Sequence, residues 1–410
     1  MKIIVVGAGI VGTCSASYLL RDGHDVVLID SQGPGEGCSK GNAGALSPGS
    51  CIPLSGPGML SKIPKWLIDP LGPLRIRPAY LASVLPWLIR FVLAGRAGNI
   101  AGLADALLAL HGNTFKNYEP LVANANCQDL IRRTGTLIVH KTDRSLAGGE
   151  REWRLREERQ IHQQVLGSGA LHDLVPELSA DYKHGVLLSD HGFVANPYRL
   201  VCRLAEQFCR DGGHLECDRV TGIIVRDGHV AGVHTTHGEL IAERVVIAAG
   251  AWSTSLTSGL GIRLPLESQR GYHATVQGSG IAPALPVVSA EAKVYATPME
   301  DGLRFAGTVE FAGLDAPPDF RRAEALIELA GDMFPGLAPG EVSQWMGHRP
   351  TLPDSLPVVG AVPGHPRLLL AFGHGHHGMT GASTTGTIIA SLVSGRQPPI
   401  DLTPYRPDRF

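Results

Sequence analysis

The stretch FGHGHHGMT, residues 372–380, sets His374, His376 and His377 among three glycines. Three imidazoles can ligate a metal, move a proton, or stand by while glycine lets a backbone approach something flat. Ligation is the weakest of these, because no Asp, Glu or Cys lies nearby and neighbours such as His376 and His377 rarely aim at one ion. No metal site is therefore expected. Shortly before, Arg349 stands in GHRP, residues 347–350. Its planar guanidinium can grip a carboxylate through two parallel hydrogen bonds, or serve a structural ion pair. What these groups act on depends on the opposite end of the chain.

Residues 2–7, KIIVVG, form a β-branched run closed by glycine, the pattern of a buried parallel strand. GAGIVG then places Gly7, Gly9 and Gly12 in the G-x-G-x-x-G register. Small and apolar residues at helical spacing predict a helix over 10–21, stopped at Gly23, and a second strand over 25–29 ends in Asp30. Gly7 permits the tight turn, Gly9 admits a pyrophosphate and Gly12 lets helix meet strand, while the helix N-terminus at Ile10 and Val11 faces the phosphates. Asp30, with Ser31 beside it, stands 18 residues past Gly12, where an acid accepts hydrogen bonds from a ribose diol and argues against a 2′-phosphate. The unit predicts dinucleotide binding.

The 410-residue chain is 44% hydrophobic and carries a formal charge of −2. It can bury a substantial core, is long enough for two domains, and lacks the basic face that nucleic acid requires. Seven cysteines form no CxxC pair and are odd in number, favouring reduced thiols in a cytoplasmic setting over a disulfide framework. The first apolar run is broken by Gly7 and Gly9, unlike a signal peptide, and no window approaches the ~18 apolar residues of a spanning helix. A soluble protein, or one attached to a membrane surface, is expected.

After Asp30 the strand–helix alternation stops. Residues 31–58 are a Gly-, Ser- and Pro-rich loop, and a loop that long is usually functional. Its Ser39, Asn42, Ala43, Gly44 and Leu46 can lie along a second phosphate and a ribityl chain. The nucleotide fold resumes over 214–252, with a hairpin at Asp227-Gly228, a turn at His237-Gly238 and an apolar strand over 244–249. Val220, Ala249, Gly250 and Trp252 join the expected cofactor contacts. A discontinuous nucleotide domain with a β-rich insert is the organisation of FAD enzymes.

GAGIVG, CSKGNAGALSP, ERVVIAAGAWS, RGY and MGHRPTLPDSLPVVG…FGHGHHGMT together make nearly the whole chain resemble the FAD-dependent D-amino-acid dehydrogenase/oxidase family, within the glutathione-reductase-like flavoproteins. The bacterial D-amino-acid and D-hydroxyproline dehydrogenases are the similar branch. The resemblance implies an α/β fold of α+β composite type: a discontinuous Rossmann-like FAD-binding domain over 1–85, 190–260 and 340–410, and an inserted, mostly antiparallel substrate domain over 86–189 and 261–339. It implies that a D-amino acid, or a cyclic imino acid such as D-proline or cis-4-hydroxy-D-proline, loses a hydride from Cα to flavin N5. The resulting imine is hydrolysed where the nitrogen is acyclic.

In that scheme Arg349 grips the substrate carboxylate, Tyr272 in RGY is the hydroxyl partner with Tyr295 in competition, and Arg270 and Arg304 are further cations. No general base is required for an amine already deprotonated by solvent. The histidine loop leads from a strand over 367–372 into a helix from about 380 to 393, whose N-terminus would steady negative charge at the N1–C2=O edge of reduced flavin. Gly347, Gly375, His376, His377, Gly378, Met379 and Thr380 are placed against the ring, with His376 or His377 touching substrate. The FAD is expected to be non-covalent: relatives linked near the C-terminus use a cysteine, and none follows Cys217. The alternatives are a glycine/sarcosine-type oxidase, an opine oxidase subunit, and a non-catalytic FAD-binding subunit of an electron-transfer complex. Electrons would pass to a quinone, the respiratory chain or oxygen, and hetero-subunits are an open partner class.

The remaining segments predict a strand over 131–140, a charged helix over 150–165, a helix capped by Asn196 with Pro197 at its first turn, and antiparallel strands over 264–309 with turns at Gly271 and Asp301-Gly302. MGHRPTLPDSLPVVG reads as a proline-rich loop. Residues 64–96 combine Trp66, Trp87 and Phe91 with five basic residues, suiting either a core helix or peripheral contact with the cytoplasmic face of an inner membrane.

Overall fold

The computed structural model describes residues 1–57, 72, 74–338 and 340–410, so 64–71 and 73 of the 64–96 stretch lie outside the described residues. One sheet runs His214–Cys217, Asp25–Asp30, Lys2–Val6, Arg244–Ile247, His365–Phe372, Val358–Val362. Its neighbours are parallel except for the last pair. Both faces are covered, which is why the strands read as continuous apolar runs. Ile3, Val5, Val26, Leu28 and Val246 pack on the helices Ile10–Arg21, Pro197–Arg210 and Gly378–Val393. The alternate residues Ile4, Val6, Val27, Ile29 and Val245 meet Val230 and Val233 of a three-stranded antiparallel sheet.

Local signals hold where they are strong. The first helix spans Ile10–Arg21, with Gly23 at φ +82° just beyond it. Asn196 caps Pro197–Arg210, its Oδ1 accepting the Arg199 N–H at 2.9 Å. Asp227 and Gly228 take φ +50° and +73°, the left-handed pair of a tight hairpin turn.

The second sheet has nine strands, in the order Glu341–Thr351, Glu267–Gln277, Gly302–Phe311, Tyr295–Met299, Val287–Ser289, Thr136–His140, His184–Leu188, Gln164–Gly167, with Leu74–Ile76 added beside Gly302–Phe311. One face buries Leu137, Val287 and Phe305 against Leu326 and Met333 of the helix Arg321–Met333. The other face clasps three successive carbonyls of the long loop. His273 Nδ1 lies 2.9 Å from Gly41 O, Arg304 Nη1 donates to Asn42 O at 2.9 Å, and Thr297 Oγ1 donates to Ala43 O at 2.9 Å.

Several boundaries differ from the sequence reading. Glu341–Thr351 is a strand paired along its length with Glu267–Gln277, so GHRP lies in a sheet and not in a proline-rich loop. That strand and Leu74–Ile76 belong to the large sheet, although 341–351 and 74–76 were expected in the nucleotide-binding part. Conversely, the helix Ala97–His111 packs in the core of the nucleotide sheet through Leu107 and Leu110, and Thr114–Asn124 packs through Tyr118 on the helices that cover that sheet. Gly271 makes no turn, since Glu267–Gln277 runs straight through it. Residues 131–140 split into Ile131–Arg132 and Thr136–His140 at Gly135, φ +85°. The charged helix ends at Glu157, and Gln164–Gly167 is a strand. The apolar strand stops at Ile247, and the final helix begins at Gly378.

Candidate active site

The glycine turn is built as its spacing requires. Gly7 takes φ +105°, and a Cβ there would lie 2.5 Å from Ala248 O; at Gly12 it would lie 1.8 Å from Gly7 O. No other residue closes this turn. Asp30 is held at the strand end, its Oδ2 accepting the Ala8 N–H at 2.8 Å and its Oδ1 the Gln32 N–H at 2.9 Å. Each oxygen keeps a lone pair for a diol. Ser39 Oγ accepts the Ile10 N–H at 3.0 Å beside Gly9, Asn42 Oδ1 accepts the Gly44 N–H at 2.8 Å, and Ala249 leads into Gly250 at φ +55°. These groups fit the ribose and pyrophosphate of FAD. Val11 and Val220 are partly buried against the sheet cores, Leu46 is wholly buried, Ser31 is exposed, and Trp252 sits edge-on to His348 at 5.3 Å.

A cavity of about 1170 Å³ continues from the loop, and its lining includes Cys38, Asn42, Ala43, Tyr295, Thr308, Trp345, Gly347, Arg349, Gly375, His376 and His377. Arg349 rests flat on Gly271, where a Cβ would meet its Cζ at 2.0 Å. Its Nη1 donates to Thr308 O at 3.0 Å, and among the described residues it has no carboxylate partner. Burial pulls its pKa below the ordinary arginine value, opposed only by the nearby Cys38 thiol. A cation withdrawn from water without a counter-ion is a site for an anion. Trp345, which the sequence reading missed, covers Gly347 and Gly41 and stacks on His273 at 5.4 Å, 18° from parallel. The glycines facing it were the signal.

Tyr272 requires correction. Its partner across the sheet is Met346, so its side chain lies on the face opposite Arg349, whose partner is Gln269. It is 1% exposed, donates to Glu310 Oε2 at 2.6 Å and accepts the Asp319 N–H at 3.0 Å. A hydroxyl so committed cannot serve a ligand at Arg349. Both tyrosines border the cavity, but the Tyr295 hydroxyl has only Thr136 Oγ1 nearby, at 3.3 Å, and burial pushes its pKa up to about 12, keeping it a neutral donor. Arg270 is spent on the carbonyls of Gly313, Leu314, Ala316 and Pro317 and on Glu310 at 3.5 Å. Arg304 is spent on Thr275, Asn42 and Asp301. Neither is a second free cation.

The histidines separate by role. His374 Nε2 bonds Thr385 Oγ1 at 2.8 Å inside the core, a structural contact. His377 lies 3.4 Å from Ser50 Oγ, its ring 4.9 Å from that of His111. His376 lines the cavity, and its Nδ1 is shielded with no partner among the described residues. Burial, then the Arg349 charge, lower its pKa to about 3, so it stays neutral. Thr380 Oγ1 donates to Ala45 O at 3.2 Å and Met379 O accepts from Tyr118 at 2.7 Å, fixing the helix start at Gly378 beside the loop and the cavity. Among the described residues no group of three or more His, Cys, Asp or Glu could hold a metal ion.

A family model described as FAD dependent oxidoreductase matches residues 2–392. A D-amino-acid oxidase of Bradyrhizobium diazoefficiens is 38% identical over 415 aligned residues, spanning 100% of this chain and 98% of that protein. A D-amino acid dehydrogenase of Allorhizobium ampelinum is 32% identical over 98% of this chain and 96% of its own length. Among solved structures, glycine oxidase from Bacillus cereus superposes with a TM-score of 0.75 at 20% identity, over 97% of this chain and 95% of that one. L-proline dehydrogenase from P. horikoshii gives 0.76 at 18% identity, over 100% and 97%. At such identities the two structures speak for the fold.

Proposed function

Because the chain belongs to the family of FAD-dependent oxidoreductases matched over residues 2–392, we propose that it oxidises D-amino acids at Cα, with cyclic imino acids such as D-proline and cis-4-hydroxy-D-proline in the same substrate class. The observation that carries this reading is Arg349: a guanidinium in a cavity wall, seated on glycine, with no carboxylate partner among the described residues. Bound FAD supplies the acceptor for a hydride from Cα. Arg349 takes the substrate carboxylate in its fork and so sets the direction in which Cα points. His376 stands in the same cavity wall, but burial holds its imidazole neutral with a pKa near 3, so it is a poor base. The amine must therefore reach the site neutral or give its proton to solvent. Ile52, Leu54, Leu88, Val92 and Val309 also line the cavity, an apolar wall suiting an apolar side chain.

Electrons then pass to a respiratory quinone, with the protein peripheral on the cytoplasmic face of the membrane. What supports this is the helix Leu81–Ala94, which exposes Leu81, Leu85, Ile89 and Leu93 at four-residue spacing beside the exposed Arg90. No single described helix is long and apolar enough to cross a membrane. A protein that stays with the soluble fraction in liposome flotation at low salt refutes the contact. The function is tested by offering the purified yellow protein a panel of D- and L-amino acids, D-proline, glycine and sarcosine with an artificial dye, with and without oxygen. Reduction by D-amino acids without any partner supports the reading. Response to glycine and sarcosine alone favours a glycine-type oxidase, and silence favours an electron-transfer subunit.

A further inference from the structure

We propose that Thr308 is a second substrate anchor, its hydroxyl donating to the carboxylate that Arg349 holds; this rests on the functional reading above. In the strand Gly302–Phe311 the register shifts: Tyr272 pairs with Gly307 and Arg270 with Glu310, so Thr308 and Val309 together face Gly271. This is a β-bulge, a device that re-aims side chains next to active sites. Thr308 takes φ +63° there. Glycine adopts that conformation freely, whereas a β-branched residue in it is a genuine outlier. The bulge by itself has no use for threonine. Strain of this kind persists where surrounding packing enforces it, and it gathers at ligand clamps.

Two further observations point to a ligand. Thr308 O accepts Arg349 Nη1 at 3.0 Å, so the residue lies against the guanidinium and ties one nitrogen, while Nε and Nη2 have no partner among the described residues. Thr308 also lines the cavity, yet its Oγ1 is shielded from solvent and has no hydrogen-bond partner among the described residues. An unpaired buried hydroxyl is costly, and a turn about χ1 brings it to a carboxylate oxygen arriving beside Arg349, the missing acceptor. A fork fixes a carboxylate in one plane, and a hydroxyl at its flank removes the remaining freedom to slide.

The test compares Thr308→Val, Thr308→Ser and Thr308→Gly in the FAD-loaded enzyme, by steady-state kinetics with its best D-amino acid and by thermal midpoint. Thr308→Val keeps the branching and the strain and removes the hydroxyl, so its KM is expected to rise about ten- to a hundredfold with a smaller change in kcat. Thr308→Ser keeps the hydroxyl and is expected to stay near the wild-type KM. Thr308→Gly should raise KM as valine does while its midpoint holds or increases, an outcome that a purely structural threonine would not give. Wild-type KM in both Thr308→Val and Thr308→Gly overturns the anchor, and so does a Thr308→Ser variant as impaired as they are. If one hydroxyl-free variant fails to fold, the other decides. A wild-type enzyme reduced by no D-amino acid refutes the functional reading itself and the anchor with it, whereas an active enzyme with unaltered variants refutes the anchor alone.

Discussion

Replacing Arg349 by lysine keeps a positive charge in the cavity wall and removes the fork. The guanidinium now lies on Gly271 with one nitrogen on Thr308 O at 3.0 Å, leaving two donors for a carboxylate. An ammonium can meet that carboxylate with one good hydrogen bond, and Thr308 O competes for it. A hydrogen bond to a charged partner contributes about 1.5–3 kcal/mol, so losing one lowers kcat/KM by roughly 10- to 150-fold at about 1.4 kcal/mol per decade. The shorter-reaching point charge should place the loss chiefly in KM. Dye-linked kinetics over a wide substrate range reads it, and the flavin absorbance of the purified variant checks that FAD is still bound. Unchanged KM in a flavin-loaded Arg349→Lys variant would refute the reasoning, because it would mean the carboxylate is held elsewhere.

Gly271→Ala places a Cβ 2.0 Å from the Arg349 Cζ, so the guanidinium must leave its seat. KM should rise at least tenfold with FAD content unaltered, and a variant with normal KM would show that the seat is irrelevant to binding. Gly7→Ala forces a side chain into φ +105° and onto Ala248 O, so the purified variant should carry little flavin; full yellow occupancy would contradict the cradle. His191, His273 and His374 are driven by burial to a pKa of about 3, and His111 to about 4. Below about pH 6.5 the unfolded chain takes up protons that the folded one refuses, so stability is full above that pH and falls as pH drops toward 4, by up to about 1.4 kcal/mol per unit for each group. Urea unfolding at pH 7.5 and 5.5 should give the lower midpoint at 5.5, and equal midpoints would mean these imidazoles are not held neutral.

The first thirty residues were legible because everything that shapes them is local: a turn that only glycine can make, a helix closed by Gly23, and an acid at a strand end. The Asn196-capped helix was legible for the same reason. The strand Glu341–Thr351 was hidden because Gly347 and Pro350 read as loop residues, and what makes it a strand is eleven partners on Glu267–Gln277, far away in the chain. Tyr272 fails for a related reason. Strand side chains alternate between faces, so without knowing the register a tyrosine has even odds of pointing away from the arginine it was matched with. Gly271 and Trp345 show the same limit from the other side. A glycine read as a turn is a platform under a guanidinium, and only the pairing reveals what rests on it.

The order of strands in the nucleotide sheet also governs how the polypeptide comes into being. Lys2–Val6 is synthesised well before one of its flanking strands, Arg244–Ile247, which emerges some 240 residues later, and that strand's own far neighbour is His365–Phe372. During synthesis the glycine turn therefore waits, unsupported on one side, until those later strands have been made. Capture of the cofactor is then expected late in the life of a nascent chain, since a molecule released early would have a phosphate loop braced on one side alone.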